Sequence, residues 1–166
     1  MDIFTFAVEK EKQAEQYYRQ LAEKTNHEGL KKILTMLADD EAEHVQAVER
    51  MKAETPDMVM ETPVLAGAHA IFERMRDSAE KFDFHISEVD LYRKACKIEA
   101  ESRKYYLQKA EEVQDSTQKE AFKKLAEQEN KHLVLVQGLC DFVSTPETYL
   151  ENAEFSHFDD YVEGEY

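Results

Sequence analysis

At 166 residues the chain suits one domain with a single core, and its four glycines and three prolines leave long stretches free to be helical. A formal charge of −15 repels phosphate backbones and anionic lipid surfaces, which argues against nucleic-acid and membrane-surface partners. No stretch is apolar enough to span a bilayer, the opening MDIFTFAVEKEKQAEQ lacks the build of a signal peptide, and Cys96 and Cys140 form no CxxC pair, so a reducing cytoplasm is the expected setting.

Lys, Glu, Gln, Ala and Leu favour long helices. Helical periodicity predicts a first helix from about Asp2 to Thr25, with Phe6, Ala14, Tyr17, Tyr18 and Leu21 among its apolar positions. A second runs from about Glu28 to Glu54 through Leu30, Ile33, Leu34, Leu37, Val45 and Val48, with Asn26 as the expected cap. Pro56 and Pro63 bracket a break. A crossover to about Ile86 follows, with a short helix over Ala68–Lys81. The third long helix is expected to open at Ser87, where Ser87 and Asp90 resemble a capping box, and to end near Gln114. Asp115 and Gln118 make a similar start for a fourth, running to about Val143. Thr145-Pro146 then reads as the start of a short C-terminal helix. From Phe155 onward the chain is aromatic and acidic, suited to packing on a neighbouring subunit or to fraying. The expected division is a helical bundle over 1–145 and a short helix with an acidic aromatic tail over 146–166.

The chain also repeats. An offset of 88 residues carries Glu11 onto Glu99, Tyr17-Tyr18 onto Tyr105-Tyr106, Leu37-Ala38 onto Leu125-Ala126, Glu41 onto Glu129 and His44 onto His132, without an insertion. Two copies of one antiparallel helical hairpin, joined by the crossover, would make an all-α four-helix bundle. Each copy offers a lone Glu on its first helix and Glu-x-x-His on its second. Residues three apart share a helix face, so Glu41 and His44 can serve one ion, as can Glu129 and His132. The midpoint of 11 and 41 is 26, and that of 99 and 129 is 114. Both fall at the expected turns, so each lone Glu sits level with its Glu-x-x-His. Docking the hairpins about a pseudo-twofold would gather six ligands in mid-bundle. Four carboxylates match two divalent cations in charge, and oxygen-rich ligation with one imidazole per ion suits iron, or manganese.

Outer hydrogen-bond partners follow from the same periodicity. Tyr18 and Tyr106 lie seven residues after the lone glutamates, on the same face, where ordinary packing and a hydrogen bond to a ligand carboxylate are equally good readings. Asp40, four residues before His44, could orient an imidazole, and Gln128 holds the equivalent place before His132. Glu154 and His157 have ligand spacing too, but no upstream partner. His27, His69 and His85 read as loop or surface residues, and Cys96 as packing.

At these residues the chain resembles the rubrerythrin-like branch of the ferritin-like superfamily. The resemblance rests on AVEKEKQAEQYY, DDEAEH, ACKIEAESRKYY and AEQENKH, and it covers about Phe6 to Val143. It implies a ferritin-like bundle whose di-iron ligands are Glu11, Glu41, His44, Glu99, Glu129 and His132. The implied activity is reduction of hydrogen peroxide; ferrous oxidation by dioxygen for iron handling, or di-manganese catalase-like chemistry, are the alternatives. A rubredoxin centre needs two CxxC-like pairs and this sequence has none, so the electron donor would be a separate protein such as a rubredoxin. Typical members carry a further Glu three residues after the third-helix ligand; Ser102 stands there in this chain. A homodimer is expected, since small bundles often bury aromatic tails against a partner.

Overall fold

A computed structural model describes residues 2–54, 61–78 and 80–162. Every regular element among them is helical: α1 (Ile3–Lys24), α2 (Glu28–Lys52), α3 (Val64–Asp77), α4 (Ile86–Glu112), α5 (Ser116–Ser144), α6 (Pro146–Glu151), a 3₁₀ turn (Glu154–Phe158) and α7 (Asp159–Val162). The four long helices are those expected, and α3 is the helix of the crossover. Pro56 lies outside the described residues.

Side chains at the helix ends explain where the boundaries fall. Asp2 caps α1, its carboxylate accepting from the Thr5 amide at 2.8 Å. The residue before α2 is His27 rather than Asn26, because Thr25 Oγ1 takes the His27 amide and tightens the turn by one residue. Helix α3 begins four residues earlier than expected. Pro63 stands immediately before it, and the apolar stripe Val64, Leu65, Ala68, Ile71, Phe72 and Met75 starts there. It stops at Asp77 instead of Lys81, since Ser78 turns extended and its hydroxyl donates to the Met75 carbonyl. Helix α4 opens at Ile86, one residue ahead of Ser87. Glu88, not Asp90, reaches back to the amide of His85. Asp115 caps α5 as expected, accepting from the Gln118 amide at 2.9 Å.

The chain divides between two compact units, Met1–Thr62 with Glu101–Glu129, and Pro63–Ala100 with Asn130–Tyr166. In the first, α1 and α2 form an antiparallel hairpin, and the C-terminal part of α4 and N-terminal part of α5 complete a four-helix core. Ala7 from α1, Val48 and Met51 from α2, Tyr106 and Ala110 from α4, and Phe122, Leu125 and Ala126 from α5 close it. Small alanines alternate with rings there, which lets the helices approach closely.

The second unit is built on aromatic rings. Phe72 of α3 lies 5.2 Å from Phe142 of α5 and 5.2 Å from Tyr149 of α6, and stacks on Phe155 at 5.7 Å. The tail therefore packs on its own chain, with Phe155 and Phe158 buried and Asp159 bonded to His69 at 2.7 Å. Gly138 makes room for it: a Cβ there would stand 2.8 Å from Phe158 and 2.9 Å from the Tyr149 hydroxyl. Ala153, in the left-handed region at φ 47°, turns the chain between α6 and the 3₁₀ segment.

Candidate metal centre

In the first unit three helices deliver acids to one point inside the apolar core. Glu11 comes from α1, Glu41 and His44 from successive turns of α2, and Glu129 from α5. None is more than 2% exposed. Each offers one ligand atom, and the four atoms lie within 4.8 Å of one another. His44 Nδ1 is the hub, 2.9 Å from Glu129 Oε1, 3.5 Å from Glu11 Oε2 and 3.6 Å from Glu41 Oε2. Equal height across the hairpin set this meeting of Glu11 with Glu41 and His44.

The second unit holds the other two predicted ligands. Glu99 on α4 and His132 on α5 are fully buried, with His132 Nδ1 3.6 Å from Glu99 Oε1. In both units, then, an imidazole turns the same nitrogen toward carboxylate oxygen.

Around the first cluster the outer contacts are specific. Tyr106, expected as either packing or a partner, donates its hydroxyl to Glu11 Oε1. Burial and the surrounding carboxylates hold the Tyr106 phenol well above its usual pKa, so it stays a donor. Tyr18 is fully buried. His44 Nε2 faces Gln128 Oε1 at 2.6 Å. Gln128 therefore meets the imidazole of the other repeat, a pairing that spacing along one helix cannot reveal. Asp40 accepts from the Thr62 hydroxyl.

Electrostatics couple the acids to the imidazole. Burial alone would raise the Glu11 carboxyl, but His44 beside it and hydrogen bonds around it draw its pKa down to about 2. Burial alone would disfavour a charged His44, yet Glu11, Glu129 and Glu41 hold its proton affinity well above the usual range. A proton on Nδ1 occupies the place a metal ion would take. Glu11 Oε2 is buried and makes no well-formed hydrogen bond, which leaves it available as a ligand atom. Three carboxylates and an imidazole suit a hard or borderline divalent cation such as iron or manganese, so the residues fit that group.

Other candidates separate cleanly. His157 Nδ1 bonds the backbone carbonyl of Glu154 on an exposed turn, so that pair builds no ligand site. His85 serves the start of α4, and His69 pairs with Asp159 and Glu73. Cys96 and Cys140 are half-buried thiols, and burial pushes Cys96 up to about 11. Ser102 is buried while its neighbour Glu101 points to solvent.

No helix among the described residues is long and apolar enough to cross a membrane. No curated protein and no solved structure matches the chain. Comparison with known families matches residues 2–140 to Rubrerythrin. With its all-helical fold and buried glutamate–histidine cluster, the chain belongs to the rubrerythrin family of ferritin-like proteins.

Proposed function

We propose that Glu11, Glu41, His44, Glu99, Glu129 and His132 hold two iron ions, and that the protein reduces hydrogen peroxide with electrons from a separate donor such as a rubredoxin. One observation carries most of this reading. Three glutamates and a histidine converge in an apolar core, which folding would tolerate poorly unless a cation joined them. The full set of six carries four carboxylates, the charge of two divalent cations. When bound, the iron pair supplies the two electrons that turn one peroxide and two protons into two waters.

The chain's own residues perform the supporting work. Tyr106 steadies Glu11 through its hydroxyl, and Gln128 holds the far nitrogen of His44. Tyr18 and Asp40 are assigned to the same supporting layer. Buried Phe122, Leu125 and Ala126 keep bulk water away from the acids, which strengthens every charge interaction among them. Residues 1–145 act as the metal-holding bundle and 146–166 as a short helix and tail. The working form is a cytoplasmic homodimer.

Anaerobic titration with Fe²⁺ followed by metal analysis tests the site, and the expected result is about two ions per chain. Fewer than one overturns the metal reading. Stopped-flow mixing of the loaded protein should show peroxide oxidising it much faster than dioxygen. Equal rates would point to ferrous oxidation instead, and dioxygen release from peroxide by manganese-loaded protein to catalase-like chemistry. Glu129→Ala should abolish stable loading.

A further inference from the structure

We infer that Gln128 is the positioning residue that decides which nitrogen of His44 faces the metal, and that its uncharged amide keeps His44 a weaker ligand than an acidic partner would. The inference rests on the metal reading above and goes beyond it.

Gln128 is 3% exposed, and its Oε1 lies 2.6 Å from His44 Nε2. An amide oxygen can only accept, so Nε2 carries the proton. The other nitrogen, Nδ1, faces the point where Glu11, Glu41 and Glu129 converge, and becomes a ligand atom once its own proton leaves. Gln128 and Glu129 are consecutive residues of α5. One short piece of backbone thus addresses both nitrogens of the ring, Glu129 on Nδ1 and Gln128 on Nε2. Rotation of the imidazole would break both contacts at once. A residue needed only to fill space at this depth would be apolar, since a buried amide costs free energy unless it is bonded.

Charge gives the second half of the inference. A carboxylate accepting from Nε2–H would pull that proton toward itself and enrich the ring, making Nδ1 a stronger donor. A neutral amide orients the ring without that enrichment. The 88-residue repeat places an acid, Asp40, at the corresponding position of the other half, where its carboxylate accepts from the Thr62 hydroxyl. His44 is left with the milder partner, which favours the lower oxidation state of the ion it binds.

The test compares Gln128→Leu and Gln128→Glu with the unaltered protein. Fe²⁺ affinity is measured by competition with a chelator, the ligand field by visible absorption of the Co²⁺-loaded form, and the potential by spectroelectrochemistry of the iron-loaded form. Gln128→Leu should weaken Fe²⁺ binding about 10–100-fold and alter the Co²⁺ spectrum. Gln128→Glu should restore affinity to at least the original level and move the potential to a more negative value. Unchanged affinity and spectrum in the leucine variant would overturn the inference while leaving the metal reading intact. Should the leucine variant fail to fold, the glutamate variant decides alone, and an unmoved potential would overturn the claim about charge. An unaltered protein that binds no Fe²⁺ would overturn both readings together.

Discussion

The two units bury their interiors in opposite ways. One closes around acids and an imidazole drawn from three helices, and the other has rings from α3, α5, α6 and the tail as its main packing. Ring packing yields stability from area and contact geometry without further demands. Buried acids do the reverse, bringing like charges together so that they depend on a positive partner such as His44. The first region gathers most of the buried acids, while the second rests mainly on rings and adds only Glu99 beside His132.

The comparison breaks first at Phe72. Phe72→Ala removes the ring shared by Phe142, Tyr149 and Phe155, and should cost about 3–5 kcal/mol in denaturant unfolding while Fe²⁺ stoichiometry stays the same. Loss of metal binding in that variant would show that the two regions do not divide the labour. Next is Gly138→Ala, whose methyl would press on Phe158 and Tyr149; a loss of about 1–3 kcal/mol is expected, with the tail more open to proteolysis. At the acidic centre the sign reverses. Glu129→Gln, compared without metal, should unfold at the same denaturant concentration or a higher one, although it loads iron poorly; a clear loss of metal-free stability would contradict the idea of stored repulsion. Tyr106→Phe should weaken Fe²⁺ binding about tenfold with little change in the metal-free fold, measured by chelator competition. Smallest of all, Asp2→Ala should cost about 1 kcal/mol through loss of the α1 cap and leave both interiors alone.

The helical fold and the meeting of Glu11, Glu41 and His44 were legible because both depend on regular spacing. An offset that preserves Glu, Tyr-Tyr, Leu-Ala and His fixes which residues share a face, and the hairpin turn fixes their height. Element ends were read less well. The second helix starts at Glu28 as expected, but its cap missed by one residue at Asn26, and the starts expected at Ser87 and Ala68 missed by one and four, since Thr25, Glu88 and Pro63 settle those ends through local bonds or ring geometry. Lateral contacts were the hardest to foresee. That Gln128 touches His44 and Tyr106 touches Glu11 depends on which helices stand side by side, and periodicity along one helix holds no record of its neighbours. The tail failed for the same reason: its rings signalled burial, but only the placement of Phe72 shows that the chain buries them on itself.

Ala153 gives the tail a particular manner of letting go. A side chain in the left-handed region sits about 1 kcal/mol above ordinary backbone, and the residue stays there because Phe155 and Phe158 are anchored beyond it. Once those anchors slip, the kink is free to relax, while the burial of both rings and the Asp159–His69 bond still favour return. Relief at Ala153 therefore returns about 1 kcal/mol of what detachment costs, so the tail is held a little less firmly than its buried rings alone suggest.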